Sequence, residues 1–152
     1  MEEIPCPAVP VSWGELLDKL TILEIKGERI EGAEARANVL NEYGLLRRAA
    51  GPVLGRAGIA PLIQALKSVN ESLWEIEDSI RRKEAELDFG PSFVELARSV
   101  YKQNDRRAAL KKEINVSLNS ALVEEKSYAG SRGIFFRGDQ PNQAARSRLP
   151  SL

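Results

Sequence analysis

Apolar residues recur every three or four positions in four segments of the chain, the spacing of helices with a buried face. The first segment covers about residues 12–31, and Ser12 with Glu15 forms a capping box that predicts its N-terminus. Its main apolar stripe contains Trp13, Leu16, Leu17, Leu20 and Leu23. Ile22 and Ile25 fall on the opposite side. A helix with two apolar sides is either central in a bundle or covered by a second copy.

The second segment runs from about 33 to 50 and predicts a shorter helix. Gly51-Pro52 is expected to end this helix, because proline lacks the N–H that a helix interior requires. The stretch GPVLGRAGIAP that follows is rich in glycine, and we expect it to form a loop.

The third and fourth segments predict two long helices of equal length. The third begins near Pro61, and its apolar residues alternate in steps of four and three, as in coiled coils. After the break DFGPS, Ser92 and Glu95 form a second capping box, and the fourth helix continues to roughly Ser120. Each helix has about 27 residues and a length of about 40 Å. A short loop between equal helices predicts an antiparallel hairpin.

A chain of 152 residues fits one domain. The predicted fold is all-α and bundle-like: a long antiparallel helical hairpin with two shorter helices packed on it. We expect residues 1–11 to form an extended N-terminal segment and residues 12–126 to form a single helical domain. Residues 127–152 lack apolar periodicity and contain scattered arginine, glycine and proline, which predicts a disordered tail.

Composition excludes several classes of function. The chain has no histidine, which rules out Ser-His-Asp triads, Cys-His dyads and histidine zinc sites. Its 22 basic and 22 acidic residues leave no net charge, which argues against nucleic acid or an anionic membrane as a partner. No apolar stretch is long enough to span a bilayer. A single cysteine, Cys6, allows no internal disulfide and suits the reducing cytoplasm.

Polar residues interrupt the apolar stripes of three predicted helices. On a helical wheel they lie within about 60° of the centre of their stripe. The predicted pairing of the hairpin would bring them into one layer of the bundle, and Glu24 would join if the first helix packs there. This candidate site comprises Glu24, Asn70, Glu77, Asn104, Arg107 and Lys111.

Buried charges persist only when they are paired, hydrated or bound to a ligand. The layer is therefore either a salt-bridge network that fixes helix register, an open polar surface, or an anion site. In an anion site, Arg107 and Lys111 would hold a phosphate or carboxylate. Trp74 and Tyr101 flank their stripes, either packing at the edge of the core or forming a stacking wall for a ring.

Three strings, VSWGELLDKLTILEIKGERI, VNESLWEIEDSIRRKE and ELARSVYKQNDRRAALKKEIN, resemble a bacterial family of unknown function. The string VEEKSYAG resembles its closing segment, so the resemblance spans roughly residues 8–130. It implies a soluble, helical bacterial protein and assigns no catalytic residue.

The leading hypothesis is a cytoplasmic, non-catalytic binding or assembly module without a cofactor. Its partner would be a second copy, another protein or a small anionic ligand. The alternative is a Mg²⁺-dependent nucleotide or nucleotide-sugar pyrophosphohydrolase, by comparison with all-helical enzymes that hold the metal on acidic residues one turn apart. Its metal ligands would be Glu24, Glu28, Glu77 and Asp78, with Arg107 and Lys111 on the phosphates. The doubled acidic pair that opens the motif of those enzymes is missing here.

Overall fold

A computed structural model describes residue 2 and residues 4–127 of the chain. This part contains four α-helices and no strand, which confirms the all-α prediction. The helices are α1 (Trp13–Arg29), α2 (Ala33–Leu54), α3 (Ile59–Ala85) and α4 (Pro91–Ser117). The predicted disordered tail lies outside the described residues except for residue 127. Among the described helices, none is long and apolar enough to cross a membrane.

Helix α1 is the central helix of the bundle and packs against α2, α3 and α4. Ser12 caps it as predicted, since its hydroxyl accepts a hydrogen bond from the amide of Glu15 at 3.1 Å. Both apolar sides are covered within this chain: Leu17 and Ile25 are each 1% exposed. The second copy that the two-sided pattern allowed is not needed to cover them.

The prediction that residues 51–61 form a loop is correct for residues 55–58 and wrong on either side of them. Helix α2 continues through Pro52 to Leu54, and α3 begins at Ile59. Two causes explain the continuation. A side chain before proline normally clashes with the proline ring in a helix, but Gly51 has no Cβ to clash. Val53 also packs into the core, where its burial stabilises the extra turn.

Helices α3 and α4 have 27 residues each and form the predicted hairpin. The turn between them is a Schellman motif, with Leu87 at a positive φ of 54° and Asp88 N–H donating to the Lys83 carbonyl at 2.9 Å. The second predicted capping box does not form. Gly90 is the N-cap residue and Pro91 begins the helix, because proline at the first helical position is preorganised for it.

The apolar core lies at one end of the hairpin, where α1 and α2 pack. Its buried cluster consists of Leu17, Leu20, Ala50, Val53, Ile59, Leu66, Ile114 and Leu118. Along residues 79–103, the outer half of the hairpin, every residue keeps part of its surface exposed. This outer half therefore extends beyond the four-helix body as a two-helix arm.

Candidate functional site

A buried carboxylate organises the polar layer between α1, α3 and α4. Asp18 of α1 has a side chain only 2% exposed, and Arg107 of α4 binds it side-on. Arg107 Nε donates to Oδ1 at 2.9 Å, and Nη2 donates to Oδ2 at 2.5 Å. This bidentate geometry gives strong, directional hydrogen bonds and fixes the guanidinium in one orientation.

Asn70 of α3 completes the coordination of this carboxylate. Its Nδ2 donates to Asp18 Oδ1 at 2.9 Å and to Thr21 Oγ1 at 2.9 Å. The Thr21 hydroxyl in turn donates to the Asp18 carbonyl at 2.8 Å. Three helices therefore meet in one hydrogen-bond network around Asp18. Of the three interpretations of the polar layer, the salt-bridge network fits this cluster.

Arg107 keeps unused hydrogen-bonding capacity. The hydrogen bond and the charge of Asp18 raise the pKa of Arg107 above its ordinary value, against the opposing effect of burial, so the guanidinium stays cationic. Asp18 occupies the edge formed by Nε and Nη2. Among the described residues, no acceptor binds Nη1. The end-on edge formed by Nη1 and Nη2 is thus available, and the side chain is 28% exposed.

Lys111, one turn further along α4, is held by two other carboxylates. Its Nζ lies 2.6 Å from Glu15 Oε2 and 2.6 Å from Glu124 Oε2. Burial lowers the pKa of Lys111, but the hydrogen bonds that Lys111 donates to Glu124 and Glu15 outweigh this effect and raise the pKa above 10.5. The same contact lowers the pKa of Glu124 below 4.5. Two carboxylates therefore offset the charge of Lys111, which makes it a weaker ligand for an anion than Arg107.

The position of Arg107 relative to Asp18 depends on close packing of α1 against α4. At Gly14, a Cβ would lie 2.5 Å from the Lys111 carbonyl oxygen, so only glycine allows this approach. The first amides of α1 are capped by α4 and the turn that follows it: Gly14 N–H donates to Asn115 Oδ1 at 2.7 Å and Trp13 N–H to Ser120 Oγ at 3.3 Å. These contacts fix the register of the two helices.

An open groove lies beside Arg107, between α1, α3 and the start of the outer half. Its volume is about 510 Å³, within the usual range for small-molecule sites. The apolar part of the lining comes from Ile22, Ile25, Leu73 and Trp74, and the polar part from Asn70, Glu77, Asp78, Arg81 and Arg107.

The structure brings half of the six predicted site residues to this groove: Asn70, Glu77 and Arg107 line it. Lys111 lies in the adjoining cluster with Glu15. The other two point elsewhere. Glu24 pairs with Lys67 at 3.1 Å, and Asn104 donates to the Val100 carbonyl of its own helix at 3.1 Å.

The four carboxylates of the magnesium hypothesis do not form one cluster. Glu24 and Glu28 both bind Lys67 Nζ, at 3.1 and 2.8 Å, and their hydrogen bonds raise the pKa of this lysine above 10.5. Glu77 and Asp78 instead lie at the groove. Across residues 2 and 4–127, no group of three or more potential ligands is placed to hold a metal ion.

Sequence reasoning missed Asp18, the residue on which the network depends. The signal was present, since Asp18 lies about 160° from Leu20 on a helical wheel, on the same side as Ile22 and Ile25. An acidic residue inside a second apolar stripe indicates a buried, paired carboxylate. That pattern becomes informative only once both sides of α1 are known to be buried in this chain.

Comparison with known proteins places the chain in a family. Residues 8–134 match a family of unknown function (DUF6165). The chain belongs to this family. Membership of DUF6165 confirms the resemblance found in the sequence, and the match spans all four helices. No curated protein and no solved structure matches significantly. The site of this DUF6165 member therefore has to be interpreted from its own geometry.

Proposed function

We propose that this protein is a non-catalytic binding module that holds a small ligand with one carboxylate or phosphate group in the α1/α3/α4 groove. The observation that carries the proposal is the end-on edge of Arg107, where no described residue binds Nη1 while Asp18 fixes the adjacent edge. A guanidinium can bind two oxygens of a carboxylate or phosphate through such an edge.

Preorganisation supports this role. The side chain of Arg107 is already held by Asp18, and Asn70 donates a further hydrogen bond to Oδ1 of that carboxylate. Ligand binding therefore does not require the ordering of a mobile arginine side chain. At flexible sites, the entropy cost of such ordering lowers affinity.

The groove also offers an apolar contact surface for the rest of the ligand. Ile22 of α1 and Leu73 of α3 both contribute partly exposed apolar side chains to its lining. Small-molecule sites combine mainly apolar walls with a few placed polar groups, and this groove has that composition. We place the module in the cytoplasm, where the exposed thiol of Cys6 would stay reduced.

Thermal-shift and calorimetric titrations test the proposal, with acetate, inorganic phosphate, 3-phenylpropionate, AMP and UDP-glucose as probes, each with and without Mg²⁺. A ligand at 100 times its dissociation constant adds about 2.7 kcal/mol of stability. We expect Mg²⁺-independent stabilisation by a carboxylate or a phosphate ester. Stabilisation that requires Mg²⁺ would instead favour a phosphohydrolase.

Two variants locate the site. Arg107→Lys keeps a cation beside Asp18 but removes the second donor edge, so we expect at least about a tenfold loss of affinity. Ile22→Phe fills the groove at a partly buried position and should also abolish binding. Arg106→Lys is the matched control, because its exposed side chain does not line the groove. Unchanged affinity in both groove variants would contradict the proposal.

A second role, assembly with another copy of this chain, is favoured by the outer half of the hairpin. Leu87, Phe89, Val94 and Tyr101 are large apolar side chains there, each 49–76% exposed. Both basic and acidic residues lie near them in the sequence, so the outer half does not carry charge of a single sign. We propose that two arms pack against each other, which would cover this exposed apolar surface.

Sedimentation equilibrium tests the assembly. Val94→Lys and Tyr101→Glu should shift a dimer towards monomer without unfolding it. Leu40→Glu is the matched control, since Leu40 is 52% exposed on α2, away from the hairpin. A wild-type protein that stays monomeric at millimolar concentration would contradict this role.

A further inference from the structure

We propose that the ligand carries a planar ring that stacks on Trp74, next to its single anionic group on Arg107. This inference rests on the proposed function and narrows its ligand to a ring-bearing monoanion or phosphomonoester.

Trp74 is fixed as a wall of the groove. The guanidinium carbon of Arg29 lies 5.9 Å from the centre of its ring, and Arg29 Nη2 also binds Glu75 Oε1 at 3.3 Å. A cation over one face of an indole is attracted by the ring quadrupole and restrains the ring. Arg29 does not line the groove, whereas Trp74 does. The indole therefore presents surface to the groove while Arg29 supports it from elsewhere.

The groove places the two halves of such a ligand on different helices. The ring contacts would come from α3, through Trp74 and Leu73, and the anion contact from Arg107 on α4. On α1, the apolar side chain of Ile22 also lines the groove. A cavity of about 510 Å³ is large enough for one or two rings and a short linker.

Acidic residues in the lining limit the charge of the ligand. Glu77 and Asp78 line the same groove as Arg81 and Arg107, so that, with Asp18 counted, three carboxylates stand against two guanidinium groups. Since Asp18 already neutralises most of the charge on Arg107, the remaining attraction suits one anionic group. Additional phosphates would lie close to the two carboxylates and be repelled.

Nucleoside monophosphates and arylalkyl carboxylates share this chemistry. Matched probes separate its parts: AMP, adenosine, ribose 5-phosphate and ATP form one series, and 3-phenylpropionate with 3-cyclohexylpropionate forms the other. Within the first series, adenosine lacks the anionic group, ribose 5-phosphate lacks the ring, and ATP carries additional phosphates. The second series changes only the planarity of the ring.

The readout is the indole N–H signal of Trp74 in a ¹⁵N-correlation spectrum. The chain has two tryptophans, so the Trp13→Phe variant identifies this signal. We expect a ring-bearing probe to shift the signal and to bind at least about fivefold more tightly than its ringless partner. ATP without Mg²⁺ should bind more weakly than AMP. The series that binds more tightly, nucleotide or carboxylate, identifies the source of the ligand.

Substitutions at Trp74 separate stacking from simple packing. Trp74→Phe should keep most of the preference for a planar ring, and Trp74→Leu should lose it while still binding ribose 5-phosphate. Equal affinity for AMP and ribose 5-phosphate, and for the two propionates, would overturn the ring inference and leave the anion site intact. Binding of adenosine as tight as that of AMP, or no binding by any probe, would overturn the proposed function itself.

Discussion

Arg107 and Asp18 join α4 to α1 through two hydrogen bonds, with the carboxylate almost wholly buried and the guanidinium only partly so. The asymmetry matters because the arginine can reach water or a ligand, whereas the aspartate cannot. This pair therefore stabilises the bundle and positions the candidate site together.

Replacing Arg107 with alanine should leave the buried carboxylate of Asp18 without a cation. We expect Arg107→Ala to lower the free energy of unfolding by about 3–5 kcal/mol, measured by urea denaturation. The double variant Asp18→Leu/Arg107→Leu should lose less than the two single variants together, because neither charge is left unpaired. Arg106→Ala, at an exposed neighbouring position, is the control and should change stability by less than about 0.5 kcal/mol. An equally small effect of Arg107→Ala would mean that Asp18 is not held by this pair.

Gly14 is a second position where α1 and α4 constrain each other. Gly14→Ala would place a methyl group 2.5 Å from the Lys111 carbonyl oxygen, and backbone cannot move aside as easily as a flexible side chain. We expect a loss of about 1–3 kcal/mol in a denaturation experiment. Gly44→Ala is the matched control in α2. Its new Cβ would meet only the end of Arg48, at 3.9 Å, so alanine should be neutral or stabilising there.

Leu87 occupies a backbone conformation that suits glycine. Its φ of 54° lies in the left-handed region, and its side chain is 76% exposed. Leu87→Gly should therefore raise stability by about 0.5–1 kcal/mol, as seen in the melting temperature. Ala85→Gly, two residues earlier in α3, should instead lower it by about 1 kcal/mol. A destabilised Leu87→Gly would show that this side chain makes contacts that offset its strain, such as those in the proposed dimer.

The contact between Glu124 and Lys111 makes stability depend on pH. A carboxyl whose pKa falls on folding stabilises the protein above its unfolded pKa and loses that effect as the pH falls through the folded value. Since Lys111 lowers the pKa of Glu124 below 4.5, Glu124→Gln should reduce the melting temperature at pH 7. The difference from wild type should shrink as the pH is lowered below about 4.5. Glu125→Gln is the control, because its contact with Lys112 is 3.5 Å long and exposed. A difference that stays constant down to pH 2 would contradict the assignment.

The spacing of apolar residues along the chain predicted the elements that are stabilised by interactions between residues close in sequence. Apolar spacing identified four helices and their hairpin, and the cap at Ser12 was correct because its bond to Glu15 spans only three residues. The chain also determined by itself which chemistry is excluded, since no fold can supply the missing histidine. The prediction that α2 ends at Gly51-Pro52 failed because of a tertiary contact. Burial of Val53 in the core extends α2 through a turn where helix propensity is low.

The candidate site depended on tertiary structure. Helical wheels placed Asn70, Glu77 and Arg107 towards a common layer, but Glu24 pairs with Lys67 instead. A wheel gives the direction of a side chain around its own axis and not the distance to another helix. Only the packing of α1 between the others decided that Asp18 would be the buried partner. The sequence by itself therefore determined which residues form helices, and the tertiary structure decided which charges meet, because a salt bridge requires atoms within a few ångströms.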